Sequence, residues 1–333
     1  MADWYWYEQI GEEELCLLRV FGTSPEVVIP EKIAGRKVVG LGAYCFAEKN
    51  RALSYEICSQ EMSGKQAEKE FQRLLERGLI RDLSGRYIQK VILPESIAKI
   101  GNFCFYQCSK LEEIVVGSAL TEIGSDAFMN CLKLQKIILL GSVTEPCGLK
   151  QILGQRALET EVDFVVKGKI EAALIYPEYS EFYDEIGPAH IFKLNIEGEG
   201  FRARQCFQNA VVDLLQYDAG FMQASVRESE KTLCRMAWMR LYYSVGLRRE
   251  YKEQYEAYLR EHEEYAGRLL VKERNITLLQ FAGEQGYFTK NGVEVCIQTA
   301  VLEGWTEGAG MLLQYQKKWF EKEEKEEYSF DDF

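Results

Sequence analysis

The stretch IGSDAFMNCLKLQKIIL, from Ile123 to Leu139, is nearly a copy of IGNFCFYQCSKLEEIVV, from Ile100 to Val116. Five pairs match at one offset of 23 residues: Ile100 with Ile123, Phe105 with Phe128, Cys108 with Cys131, Leu111 with Leu134, and Ile114 with Ile137. A third copy lies upstream in LGAYCF, where Leu41, Gly42, Cys45 and Phe46 precede their counterparts by 59 residues, 36 more than one period. A fixed period in the twenties that carries L-x-x-I-x-L marks a leucine-rich solenoid. The physics demands stacking. One copy offers about five large apolar groups, each worth roughly 1.5–3 kcal/mol when buried, while ordering its residues costs about 1.5 kcal/mol apiece. A single copy cannot fold alone; neighbouring coils bury shared columns and satisfy one another's backbone groups.

The pattern I-G-x-x-(A/C)-F-x-x-C-x-x-L-x-x-I-x-(L/V) resembles the BspA-type leucine-rich repeat family, whose mark is I-x-x-x-A-F-x-x-C-x-x-L followed by a short strand. VVIPEKIAGRKVVGLGAYCF is similar to that family's opening unit. The resemblance covers roughly residues 20–140. It implies coils with their phenylalanines in file and a binding role, often at cell surfaces. Ten cysteines are present without a C-x-x-C pair, so zinc ribbons and thioredoxin-like sites lack support. Cys108 and Cys131 fall at one inward step of the repeat and Cys45 and Cys104 at another. Small, buried thiols suit such columns.

The fold class expected is α+β: a β-rich leucine-rich repeat solenoid followed by an all-helical C-terminal domain. Residues 1–150 read as the solenoid with a helical insert near 59–86, where the extra 36 residues fall. Within it, LSYEIC is expected as a degenerate repeat strand, and Lys65 to Glu76 as an amphipathic helix with Phe71, Leu74 and Leu75 on one side. That helix is a candidate cover for the repeat sheet. Residues 151–200 read as a short β-rich continuation or cap, from EVDFVV, AALIYPE and AHIFKLNIEG. Residues 201–333 read as a helical domain with an acidic tail, because apolar spacing changes there to threes and fours. Asn291 and Thr306 are expected as N-caps, and Gly286 and Gly304 as helix stops. FTKNGVEVCIQTAVLEGWTEGAGMLLQYQKKWF loosely resembles ankyrin-like helix pairs, which implies protein binding or a homodimer formed through the helical domain.

Strand alternation inside the repeat picks out a face. Leu111, Ile114 and Val116 point inward, which leaves Glu113 and Val115 outward; Lys90 with Ile92, Lys136 with Ile138, and Glu26 with Val28 are equivalent pairs. One outward column is therefore Val28, Ile92, Val115, Ile138, and its neighbour is Glu26, Lys90, Glu113, Lys136. The charged column changes sign at each step, which suits lateral pairing. An exposed apolar column marks an interaction site; the plainer readings are that the chain covers it, or that β-branched residues serve strand propensity.

Charge and chemistry narrow the function. With 52 acidic against 40 basic residues the net charge is −12, which opposes nucleic acid and anionic membranes as partners. The N-terminus MADWYWYEQIGEEE has neither a basic nor an apolar leader region, so a cytoplasmic location is expected. Only His190 and His262 are available for acid–base work; His262 lies in a charged helical stretch and is expected to face solvent, and no nucleophile motif stands near either. No catalytic, cofactor or metal residues are assigned. The sequence reads as a non-enzymatic protein-interaction scaffold. Two alternatives stay open: a surface adhesin whose signal has been removed, and a hydrolase-type enzyme using carboxylates in an interdomain cleft.

Overall fold

The computed structural model describes residues 3–49, 51, 54–186 and 191–320, so His190 and the acidic tail 321–333 lie outside the described residues. The chain divides into two compact units, 1–217 and 218–333. The first continues past residue 200, the boundary expected before the helical domain, to Tyr217, whose hydroxyl donates to Ile175 O (2.6 Å) and accepts from Ile175 N (3.2 Å).

The repeat strands form one sheet. Glu26–Val28, Lys90–Ile92, Glu113–Gly117, Lys136–Leu140 and Thr160–Val166 lie side by side, all parallel, and Lys169–Tyr176 closes the edge antiparallel. EVDFVV and AALIYPE thus extend the repeat sheet. AHIFKLNIEG does not, because Ile191–Glu197 pairs only with Ser180–Ile186 in a separate two-stranded ribbon. A second, eight-stranded sheet links the opening segment to the coils and includes Trp4–Gln9, Glu14–Gly22, Arg36–Leu41, Lys99–Ile100 and Glu122–Ile123.

Between the two sheets the coil interiors stack in file. Phe46 lies on Phe105 with ring centroids 5.0 Å apart and 4° between planes, and Phe105 lies on Phe128 at 5.2 Å and 8°. All three are buried, as are Leu111, Leu134, Ile114 and Ile137. Each coil donates backbone N–H groups to carbonyls of the next: Phe46 to Cys104, Phe105 to Ala127. The glycine after each repeat isoleucine is required by this closeness. A Cβ on Gly101 would stand 2.5 Å from Ala43 N, and one on Gly124 would stand 2.4 Å from Asn102 N. Tyr44, Phe103 and Asp126, equivalent in three coils, all hold left-handed backbone (φ 61°, 56° and 54°). Only over-determination by the stack keeps an aromatic residue there.

The cysteine columns are a hydrogen-bond ladder. Cys108 Sγ donates to Phe46 O (3.2 Å) and Cys131 Sγ to Phe105 O (3.1 Å), so each thiol serves the equivalent phenylalanine carbonyl one coil back. All ten cysteines are free. Burial pushes the Cys104 and Cys108 thiols up, whereas the neighbouring Cys108 side chain draws Cys131 down, with the Arg156 charge adding to that effect.

The residues between the third copy and the others depart from expectation in two ways. Glu56–Ser59, which overlaps the end of LSYEIC, is not a repeat strand; it pairs antiparallel with Trp4–Gln9. Helix Gly64–Glu76 does not cover the repeat sheet. Its Ala67, Phe71 and Leu74 pack on Trp4, Phe21, Ile57 and Ile80, an aromatic-rich surface of the eight-stranded sheet, while Leu75 stays exposed.

The second unit is helical. Its longer helices are Glu230–Tyr242, Arg249–Glu261, Glu263–Lys272, Ile276–Glu284, Lys290–Leu302 and Thr306–Trp319. Ser229, Asn275 and Thr289 are the side-chain N-caps. Asn291 is therefore not a cap but lies inside the first turn, donating to Glu264, and Thr306 is the first helical residue after Trp305. Gly286 and Gly304 end helices in left-handed conformation (φ 67° and 63°). Trp238 and Tyr255 lie in the core beside a buried ion pair in which Arg240 grips both oxygens of Asp218 (2.7 and 2.8 Å). His262 is half-buried: its Nδ1 lies 2.7 Å from Glu230 Oε1 and its ring stacks on Tyr258. It is thus partnered rather than simply solvated.

Candidate functional site

The strand register brings all eight face residues together. Glu26, Lys90, Glu113 and Lys136 are direct neighbours along one row, and Val28, Ile92, Val115 and Ile138 along the next. Strands Glu26–Val28 and Lys90–Ile92 are short, because Pro30 and Pro94 follow them and cannot donate to a ladder. Glu26 and Val28, on the edge strand, are exposed, with Val28 at 56%. Lys90, Ile92, Glu113, Lys136 and Ile138 are half-buried. Val115 is only 7% exposed, since β-branched neighbours one strand away flank it on both sides. The apolar row therefore offers Val28, Ile92 and Ile138 to a ligand, with Val115 as floor.

The charged row pairs along itself. Lys90 Nζ stands 2.7 Å from Glu113 Oε1, and the hydrogen bond to Glu113 raises the lysine pKa. Lys136 turns the other way, to Glu161 and to Asp163 Oδ2 at 2.6 Å. Both acids stand in the same rows: Glu161 pairs in register with Lys136, and Asp163 with Ile138. Asp163 is buried, which pushes its carboxyl up, and Lys136 opposes that shift. The sequence signal for these two was E-x-D in EVDFVV, the spacing of K-x-I in Lys136–Ile138. It was hidden because the offset there is 25 rather than 23, after helix Leu149–Leu153 interrupts the repeat.

An open depression of about 590 Å³ lies over the charged row. Glu26, Lys90, Glu113 and Lys136 form its floor, and Gln89, Glu112, Lys133 and Gln135 border it. Lys133 stands 3.6 Å from Glu112, which repeats the pairing at the rim. Sequence reasoning missed these rim residues because they precede the strands, where alternation gives no direction. Among the described residues no group of three or more His, Cys, Asp or Glu is placed to hold a metal ion, and no helix is long and apolar enough to cross a membrane.

Comparison with known proteins gives the following. A family model described as BspA type Leucine rich repeat region (6 copies) matches residues 83–146, which contain three of the five parallel strands. Two solved structures are similar to parts of the chain. A leucine-rich repeat protein of T. pallidum is 22% identical over 43% of this chain and 54% of its own, with a TM-score of 0.28. A leucine rich cell surface protein from Faecalibacterium prausnitzii A2-165 is 15% identical over 50% of this chain and 42% of its own, with a TM-score of 0.26. The chain spans about half the length of these two proteins. No curated protein matches it. With the 23-residue period, the phenylalanine file and the family match in agreement, the N-terminal part of this chain is a BspA-type leucine-rich repeat solenoid.

Proposed function

We propose that this chain is a non-enzymatic protein-interaction scaffold whose partner docks on the outward face of the repeat sheet. The observation that carries the reading is the register: parallel strands hold an alternating charged row and an apolar row side by side, across an open depression. An apolar row supplies affinity by exclusion of water, and a charged row beside it supplies orientation and selects among partners. The depression is open, polar at its floor and free of a nucleophile motif, which fits a binding surface better than a reaction vessel.

The test is the double variant Ile92→Asp with Ile138→Asp, used as bait beside the parent chain. Both side chains are half-buried on the outward face, so the far-ultraviolet circular dichroism spectrum is expected to stay unchanged while partner recovery falls at least about tenfold, or about 1.4 kcal/mol. Recovery of the same partner in the same yield sinks the reading. So does unfolding of the variant, which would make the row part of the core.

A further inference from the structure

We propose that the partner element received by this face is an α-helix that crosses the strands and alternates basic and acidic residues once per turn beside an apolar stripe. The inference presupposes that the face binds protein, and it names the element that fits.

The argument is one of spacing. Along the row Glu26, Lys90, Glu113, Lys136, the sign reverses at every strand, and neighbouring strands lie about 4.8 Å apart. A ligand that pairs with all four must present alternating charges at nearly that interval. A helix laid along the row repeats a face every turn, about 5.4 Å, and falls out of step by only about 0.6 Å at each strand, about 1.8 Å over the whole row. An extended segment places same-face residues about 6.8 Å apart and falls out of step by about 2 Å at each residue. By its third residue the slip is about 4 Å, close to one strand, where an attractive pair becomes a repulsive one. The alternating ladder thus favours a helix and rejects a strand.

The second row agrees. Val28, Ile92 and Ile138 run parallel to the charges, two residues further along each strand. A helix that offers Lys, Glu, Lys, Glu in successive turns, opposite Glu26, Lys90, Glu113 and Lys136, brings its next side-chain column over these three residues. The division of labour follows from magnitudes. Exposed ion pairs are worth about 0–1 kcal/mol each, so the apolar stripe holds the helix and the charges fix its register.

The experiment uses the full chain and three labelled 18-residue peptides with one leucine stripe. The first alternates Lys and Glu by turn, the second has the same residues in blocks (two turns of Lys, then two of Glu), and the third is the first with two central prolines that prevent a helix. Fluorescence anisotropy at low salt is expected to rank the alternating peptide about tenfold tighter than the block peptide and the proline peptide weakest, with the first gap closing near 1 M salt, where screening acts within about 3 Å. The decisive variant exchanges a paired couple, Lys90→Glu with Glu113→Lys, which keeps the ion pair within the row. It converts the ladder to acid, acid, base, base, so the block peptide must now bind more tightly than the alternating one. An unchanged ranking, equal affinities, tighter binding of the proline peptide, or no binding by any of the three overturns the inference. If the Ile92/Ile138 variant loses its native partner while the exchanged couple leaves the ranking unchanged, the binding face stands and the helical partner falls.

Discussion

The two ends of the coil stack meet the same problem with different chemistry. Every coil offers carbonyls and N–H groups to its neighbours, and the loop portions of the terminal coils face another repeat coil on one side only. At the first coil the strand Glu14–Gly22 pairs with Arg36–Leu41, and one side chain of that strand, Arg19, caps the loop that follows. It is 1% exposed and donates to the carbonyls of Tyr44, Cys45, Ala47 and Glu48, while Asp82 takes its Nε at 2.9 Å. At the last coil the helix Leu149–Leu153 and the residues after it supply three side chains. Gln151 accepts from Ile123 N and donates to Thr121 O; Gln155 accepts from Phe128 N and donates to Gly124 O; Arg156 donates to Cys131 O and Leu134 O. One end closes with a charge-paired cation. The other closes with amides that imitate a backbone and a cation that, among the described residues, has no carboxylate beside it. Burial pushes the Arg156 guanidinium down to about 10, and its Nε has no hydrogen-bond partner among the described residues. Termination of a solenoid therefore needs donors and acceptors at coil positions, and the covalent source of those groups is free to vary.

The comparison is sharpest against the middle of the stack. Phe105 has a ring on either side, whereas Phe128 has one only among the described residues. Phe105→Ala is expected to cost about 5 kcal/mol and Phe128→Ala about 3 kcal/mol, the two ends of the range for such truncations. Urea titrations followed by circular dichroism measure both. Equal losses would show that the last coil is as tightly held as the middle one, and a loss below about 1 kcal/mol at Phe128 would remove that residue from the stack.

Much of this architecture was legible. Five matched positions at one offset specify which side chains share a column, and period-two alternation assigns inward and outward faces. Both survive in the structure because coil stacking leaves one register open; a slip of one residue would send Ile114 and Ile137 to the solvent face. The terminators were not legible. Arg19 lies in ELCLLRVFG, which reads as a mostly apolar strand, and nothing local says that its guanidinium turns to carbonyls some 25 residues on. Gln151 and Gln155 lie where the period has already lapsed. Helix Gly64–Glu76 was readable from its apolar spacing, but the surface it packs on was not, because periodicity names a face and never the opposing partner. The missed Glu161 and Asp163 follow the same rule, since an insertion shifts the count while the sheet restores the register.

The arginines separate the two ends energetically. Arg19→Met strands four carbonyls, while Asp82 is exposed enough for water to replace its cation, so the carbonyls dominate an expected cost of about 3–4 kcal/mol. Arg156→Met strands two carbonyls but also removes a buried charge with no counter-ion among the described residues. The gain offsets part of the loss, and about 1–3 kcal/mol is expected. Thermal or urea unfolding of the two variants, side by side, reads the difference. A larger loss at Arg156 would mean that the last coil depends on its cation as the first does, and the contrast between the ends would disappear.

The smallest effect isolates the backbone mimicry. Gln155→Leu keeps the side-chain volume but leaves Phe128 N–H and Gly124 C=O without their partner, at about 1–2 kcal/mol. Gln151→Leu removes the equivalent pair at an exposed position, where water replaces the lost groups, so less than about 1 kcal/mol is expected. Hydrogen exchange gives the local signature that global stability cannot. The Phe128 amide is expected to exchange faster by at least about tenfold in Gln155→Leu, while the Phe105 amide, one coil inward and bonded to Ala127 O, keeps its protection. Equal acceleration at both amides would mean that the side-chain amides do not close the last coil locally but hold the whole stack together. Termination and cohesion would then be one property of the solenoid instead of two.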